Sequence, residues 1–100
     1  MSKRLEVKFA PSFSRDLKRL SKRHDRDMSD LAEVIDLVAE NSKRSIDILK
    51  QRHNMHRLSG GWKGRCECHV ANAGDWLVIW SADSKLAIFE RTGSHAELFR

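Results

Sequence analysis

An α+β fold in two layers is what this chain of 100 residues predicts, and three observations carry it. Apolar residues recur at helical spacing through the first half, and the pattern changes to alternation after Trp62. All five glycines stand at or beyond Gly60 while the one proline is Pro11, which puts helices first and turn-linked strands after. At 40% hydrophobic and 33% charged residues, the chain suits one small globular core and has no length for a second. A single domain over residues 1–100 is expected.

The elements follow in order. Leu5, Val7 and Phe9 alternate with Glu6 and Lys8, a short half-buried strand. Pro11 or Ser12 then starts a helix, with Asp16 favourable in its first turn. Phe13, Leu17, Leu20 and His24 share a narrow arc of it, opposite Arg15, Lys18, Arg19, Lys22, Arg23 and Arg26. Asp27 or Ser29 caps a second helix with Met28, Leu31, Val34, Ile35 and Val38 inside and Asp30, Glu33, Asp36 and Glu40 outside. The two form a helical hairpin, Leu17 and Leu20 lying near Leu31 and Ile35. Residues 43–53 are ambiguous, although Ile46 and Leu49 suit one more helical turn.

Beyond Trp62, Cys66, Cys68 and Val70 alternate with Arg65, Glu67 and His69. Trp76 to Trp80 follows the turn signal Asn72-Ala73-Gly74, and Leu86 to Phe89 follows Asp83-Ser84. Short strands joined by tight turns make an antiparallel meander, and the helices must cover one face of it. Trp62 and Trp80 read as core. Cys66 and Cys68 are too close along one strand to bridge easily, and free thiols suit a reducing cytoplasm. No apolar run is long enough for a bilayer span or a signal-peptide core. Cys66-Glu67-Cys68-His69 lacks the spacing and the second ligand pair of a zinc site, so no metal and no cofactor are expected.

Charge is unevenly placed. The net of +5 resides wholly in residues 1–57, and residues 58–100 balance to zero. A basic face at that density serves either as solvated surface or as a contact for a polyanion, nucleic acid first.

Several polar residues exceed what folding requires: His56, His69, Asp75, Arg91 and His95, accompanied by Trp76 and Phe99. Imidazoles take and give protons near neutrality. Two such groups and a guanidinium suffice to cleave RNA without metal. One removes the 2′-OH proton, one protonates the leaving 5′-oxygen, and the guanidinium balances charge on phosphorus. Phe89 and Arg91 share strand parity and should project to one face, with His95 a turn beyond. His24 and His53 read as surface or capping residues.

The second half contains His56-Arg57-Leu58-Ser59-Gly60-Gly61-Trp62-Lys63-Gly64, then Glu67-Cys68-His69-Val70, Asp75-Trp76, and Phe89-Glu90-Arg91-Thr92-Gly93-Ser94-His95-Ala96-Glu97-Leu98-Phe99. These segments, in this order and spacing, closely resemble the YafQ branch of the RelE/ParE toxin superfamily. The resemblance implies a RelE-like, microbial RNase-like fold: an N-terminal strand and helical hairpin packed on a curved antiparallel sheet. It implies the toxin of a type II toxin–antitoxin system, an mRNA interferase cutting messages in the ribosomal A site by metal-independent 2′-OH attack. Position by position, His56, His69, Asp75 and His95 match the proton-handling set, without a division into acid and base. Arg91 matches the phosphate-stabilising arginine, and Trp76 and Phe99 match residues supporting substrate or site.

There is one departure. Relatives read W-K-G-Y-R-[DE]-x-H, whereas here Arg65 and Cys66 stand at the Tyr-Arg pair. The arginine thereby moves to the opposite strand face. Arg65 then shares parity with His69 and joins Lys63 as a substrate-binding candidate, while Cys66 becomes a small buried replacement. The resemblance also gives the basic helix a purpose, with Lys18, Lys22, Arg23 and Arg26 docking on ribosomal RNA. It implies a cognate DinJ/RelB-like antitoxin, operator DNA bound only through the toxin–antitoxin complex, and no membrane partner. The competing reading is a non-catalytic binding module of the same fold, ParE-like, acting on a protein target such as gyrase. Such a module has no need of three histidines beside Arg91.

Overall fold

The structure is a computed structural model and describes residues 4–23, 26–70 and 75–99. His24 and the turn signal Asn72-Ala73-Gly74 lie outside the described residues. The elements run β1 (Glu6–Phe9), α1 (Pro11–Leu20), α2 (Met28–Glu40), α3 (Lys43–Arg52), β2 (His56–Arg57), β3 (Cys66–His69), β4 (Leu77–Ala82), β5 (Leu86–Gly93) and α4 (His95–Leu98). A single 3₁₀ turn, Gly60–Trp62, precedes β3. The sheet order is β1-β5-β4-β3-β2. The antiparallel meander β3-β4-β5 is as expected, but β1 joins β5 in parallel, Glu6 beside Leu86 and Phe9 beside Phe89.

Local chemistry accounts for the helix starts. Pro11 occupies the first turn of α1, where its missing N–H costs nothing. Asp27 caps α2 by accepting from the Ser29 N–H at 2.9 Å. The ambiguous stretch after Ser42 is a full helix, because Ser42 and Ser45 cap each other reciprocally. α3 packs on α2, and α1 lies against β5. The close helical pair is therefore α2–α3, although Leu17, Leu20, Leu31 and Ile35 still share one core.

That main core lies between the helices and one sheet face. Phe13, Phe89 and Trp80 fill its centre, with ring centroids 5.6 Å apart for Phe13–Phe89 and 6.0 Å for Trp80–Phe89. A smaller cluster of Leu77, Ile79 and Leu98, flanked by Leu58 and Trp62, covers the opposite face. Trp62 is thus half-buried on the second side and not in the main core, because the 3₁₀ turn folds its ring back over β4.

Two irregularities decide where the functional side chains go. Between Ile79 and Trp80 the β4–β5 register slips, pairing Ile79 with Arg91 but Trp80 with Phe89. Glu90 is the extra residue of a β-bulge, and a bulge inverts parity downstream. Phe89 and Arg91 accordingly project to opposite faces, Phe89 into the main core and Arg91 to the second side; the expectation of one shared face fails for this reason. The other irregularity is at the sheet edge. β1 stops at Phe9 while β5 continues to Gly93, and α1 covers the edge left open. Ser12 Oγ donates to the Glu90 carbonyl at 2.6 Å, Asp16 accepts from the Thr92 N–H at 3.0 Å, and Arg19 donates to the Thr92 carbonyl at 3.3 Å. Residues at i, i+4 and i+7 lie on one helix face, so one stripe of side chains replaces the missing strand.

Candidate active site

The sheet register sets out the site. His56, Glu67, Ile79 and Arg91 form one row across β2, β3, β4 and β5, and His69, Leu77 and Gly93 form another. Both rows face the second side, where Leu77 and Ile79 make a fully buried apolar floor. α4 begins immediately after β5 and brings His95 to the end of the sheet that carries His69. Its start is built by a capping box: Ser94 Oγ accepts from the Glu97 N–H, and Glu97 accepts from the Ser94 N–H at 2.8 Å. Gly93 must be glycine, since its φ is +154° and a Cβ would sit 2.8 Å from Glu97 Oε1 and 2.9 Å from Arg19 Nη2.

His95 and Asp75 form the tightest polar pair on this side. Asp75 Oδ1 accepts from both the His95 N–H, at 2.8 Å, and the ring Nδ1, at 2.6 Å. The backbone bond from His95, its ring bond and the neighbouring Arg26 charge hold the Asp75 carboxyl below its ordinary value. An ionised carboxylate only accepts, so Nδ1 carries a proton and Nε2 is the nitrogen left for exchange with a substrate. His69 faces this pair, its ring 6.2 Å from that of His95. Phe99 closes the other flank, 6.1 Å from His95 and edge-on to Trp62 at 6.0 Å. His69, Asp75, His95 and Phe99 thus come together as one cluster.

His53 supports the cluster from beneath. It caps α3 and is buried, its carbonyl accepting from the His69 N–H at 2.7 Å and its Nδ1 donating to the His69 carbonyl at 2.9 Å. Of the two roles the sequence suggested, surface or cap, burial excludes the surface one, and the two bonds to His69 make the cap a brace as well.

His56 stands apart from the cluster, on the next strand. Its Nδ1 donates to the Asn54 carbonyl at 2.9 Å, and its Nε2 is 3.4 Å from Oε1 of the buried Glu67. The two form an ion pair whenever the ring is protonated. Lys63 is exposed nearby. Arg65 faces the same side as His69, as its parity predicts. It is not free: Nε donates to both Glu90 carboxylate oxygens at 3.1 and 3.2 Å, and the guanidinium lies 6.0 Å from the Trp62 ring. Cys66, expected as a small buried replacement, is only half-buried, packed against the main core. Both thiols are free and burial pushes both up, Cys68 furthest.

Arg91 is fastened to α1. Its Nε donates to Asp16 Oδ2 at 2.7 Å and its Nη2 to Oδ1 at 3.2 Å, and this pairing raises its pKa. Asp16 is not in the first turn of α1, where it was expected to serve the helix dipole; it is the sixth residue and almost fully buried. The sequence signal for it was a lone acid on the apolar arc of a basic helix, beside Leu20.

Trp76 does not touch a substrate directly. It is fully buried in the main core, its Nε1 donating to Thr92 Oγ1 at 2.9 Å, and Thr92 donating on to the Leu77 carbonyl. Trp76 faces the opposite side of the sheet from Leu77, as alternation along a strand requires, and so lies away from the histidine-bearing side. The basic stripe is also narrower than expected, since α1 ends at Leu20. Lys18 is exposed on the helix, Lys22 and Arg23 are exposed in the turn after it, and Arg26 lies in the next loop. Arg19 turns inward to Asp16 at 2.8 Å and Glu97 at 2.9 Å. Arg26 reaches the site, its guanidinium 5.3 Å from the Trp76 ring and its Nη2 donating to the Asp75 carbonyl at 3.3 Å. Among the described residues, no group of three His, Cys, Asp or Glu side chains is placed to hold a metal ion.

Asp16 and Glu67 are site residues with no functional role assigned from sequence, and Arg26, expected to dock on ribosomal RNA, lies at the site instead. A groove of about 720 Å³ opens beyond β2 on the main-core side, with Leu49, Met55 and Trp80 in its wall and Lys50, Arg57 and Lys63 among its lining. It shares His56, Leu58, Lys63 and Arg65 with the histidine-bearing side.

The fold has counterparts among known proteins. Residues 5–100 match the family described as bacterial toxin of type II toxin–antitoxin system, YafQ. The chain belongs to the YafQ toxin family. It is 36% identical over 94 residues to the mRNA interferase toxin YafQ of Escherichia coli strain K12, covering 94% of this chain and 95% of that protein. The crystal structure of YafQ from E. coli strain BL21(DE3) superposes with a TM-score of 0.83 at 34% identity, covering 96% of this chain and 99% of that one. YafQ in the E. coli DinJ–YafQ toxin–antitoxin complex gives 0.80 at 34% identity, covering 97% and 99%. The RelE-like fold is thereby shared across the chain, and no helix among the described residues is long and apolar enough to cross a membrane.

Proposed function

We propose that this YafQ-family chain is the toxin of a type II toxin–antitoxin pair and a metal-independent endoribonuclease that cleaves messenger RNA in the ribosomal A site. The observation that carries the reading is the Asp75–His95 pair facing His69 beside a clamped Arg91. Asp75 orients the His95 ring and leaves Nε2 to transfer a proton. His69 and the His56–Glu67 pair offer further imidazoles on the same face. One imidazole takes the proton of the ribose 2′-OH, and the 2′-oxygen attacks phosphorus. The bond to the 5′-oxygen breaks, and a second imidazole supplies that oxygen's proton. The products are a 2′,3′-cyclic phosphate, opened by water to a 3′-phosphate, and a 5′-OH. Arg91 balances charge on phosphorus as the attack proceeds.

Phe99 offers an exposed aromatic edge to a base next to His95, and Lys63 and Arg65 flank the substrate. Trp76 acts indirectly, by packing beneath Arg26 and bonding Thr92. Lys18, Lys22 and Arg23 remain the candidates for docking on ribosomal RNA, while Arg26 belongs to the site. The natural partner is an antitoxin of the DinJ kind, DinJ being the protein found with E. coli YafQ; operator DNA is reached only through that complex, and the place of action is the cytoplasm.

The test is cleavage of a defined message in a purified translation system, mapped by primer extension, with and without ribosomes. Native protein should give codon-phased cuts that need ribosomes, and His95→Ala should give none. Folded, antitoxin-free protein that leaves the message intact would transfer the weight to a binding module.

A further inference from the structure

We propose that Asp16 is a positioning residue for the cleavage: it clamps the Arg91 guanidinium through Nε and Nη2, so that Nη1 is the nitrogen presented to the scissile phosphate. The inference rests on the nuclease reading and adds to it a residue on a helix outside the catalytic face.

A carboxylate has about four acceptor directions, and Asp16 uses four. Oδ2 takes Arg91 Nε at 2.7 Å and the Thr92 N–H at 3.0 Å, while Oδ1 takes Arg19 Nη1 at 2.8 Å and Arg91 Nη2 at 3.2 Å. Closing the β5 edge does not by itself call for a charge there. Ser12 meets the Glu90 carbonyl with a neutral hydroxyl one turn earlier, and an amide oxygen would accept from Thr92 equally well. A buried carboxylate is costly unless cations meet it, and here two arginines do. The charge at position 16 is thus matched by Arg91 and Arg19, not called for by the sheet edge.

The same anchor extends to the His95 side. Arg19 Nε binds Glu97 Oε2 at 2.9 Å, and Glu97 caps α4, which begins at His95. Glu97, Arg19, Asp16 and Arg91 alternate in charge, and the cluster balances before any phosphate arrives. Burial would raise the Asp16 carboxyl, but the bonds from Arg91, Thr92 and Arg19 together hold it below its ordinary value. It stays ionised at neutral pH.

The experiment is single-turnover cleavage on programmed ribosomes with Asp16→Asn, Arg91→Ala and the double variant, each checked for folding by thermal unfolding. Asp16→Asn should lower the rate at saturating toxin by about 10- to 100-fold, with the half-saturating concentration changed by less than about twofold. In the Arg91→Ala background it should change nothing further, since the two act as one unit, and Asp16→Glu should restore part of the rate. An equal fold-loss in both backgrounds, or a full rate in folded Asp16→Asn, overturns the proposal. If Asp16→Asn does not fold, Arg91→Lys reads the same pairing. Lysine keeps the charge but cannot be clamped through two nitrogens, so it should behave as Arg91→Ala, and a near-native rate would overturn the role. A spectroscopic readout accompanies these: the Arg91 Nε–H should be slow to exchange by ¹⁵N NMR in the native protein, and rapid exchange contradicts the clamp. Native protein that cleaves nothing removes the nuclease reading and this role with it. A failure confined to the Asp16 comparisons removes the role alone.

Discussion

At the scale of single residues, proton placement makes His95 and Asp75 unequal partners. The Asp75 carboxyl sits below its ordinary value near 3.8, so it is ionised throughout the range in which an imidazole titrates. Replacing it by Asn keeps the shape but allows the amide to present N–H where Nδ1–H now donates. Asp75→Asn should lower the cleavage rate by about 10²- to 10⁴-fold while leaving thermal stability close to native, since both side chains are largely exposed. In a pH–rate profile of the native protein, Asp75 should contribute no limb above its ordinary value near 3.8. Trp76 and Phe99 separate in the opposite sense. Trp76→Ala empties a fully buried site and should cost about 3–5 kcal/mol of stability, measured by denaturant unfolding. Phe99, 40% exposed, should lose activity on change to Ala with under about 1 kcal/mol lost in unfolding. Both aromatics were legible as important from sequence, but their separate roles were not. Which face Trp76 takes depends on the strand boundary after residues 71–74.

At the scale of elements, α1 has two jobs that its sequence displays unequally. Its apolar stripe and basic exterior were readable from periodicity, whereas its end at Leu20 and its work as a substitute strand were not. The edge it covers exists only because β1 is shorter than β5. The β-bulge at Glu90 was hidden for a similar reason, as a bulge is a property of two paired strands and alternation along one strand cannot show it. The Asp16 anchor gives α1 a defined acid response. Its folded value lies below the ordinary 3.8, so its contribution to stability is complete above that value and is lost as pH falls through the lower folded one. Thermal unfolding from about pH 6 to about pH 2 should show a plateau followed by a decline. Asp16→Asn should start lower and decline less. The exterior of α1 makes a separate prediction. Lys18→Glu with Lys22→Glu should weaken ribosome association and flatten its dependence on salt by the release of fewer counterions, without changing the fold. An unaltered salt slope would return these residues to solvated surface.

At the scale of the whole molecule, the fold divides labour between the two sides of one sheet. The helices and the Phe13–Trp80–Phe89 cluster stabilise one side. The other side is only thinly covered by α4 and the Trp62 turn, and it exposes the histidines. The fold class was visible in sequence because it depends on local pattern and spacing; the resemblance marked His69, Asp75 and His95, which lie together, and also His56, which stands apart on β2. The partners of Arg91, Arg65 and Arg26 were not visible, because Asp16, Glu90 and Asp75 lie 75, 25 and 49 residues away. On the proposed function, this exposed side cleaves RNA through the ribose 2′-OH. Single-turnover cleavage of a ribosome-bound message carrying one 2′-deoxy nucleotide at the mapped site, beside the all-ribose message, tests this. The deoxy substitution should abolish cutting at that bond, while the all-ribose message should yield a 5′-OH fragment. Continued cutting at the deoxy position, or fragments ending in 3′-OH and 5′-phosphate, would contradict it.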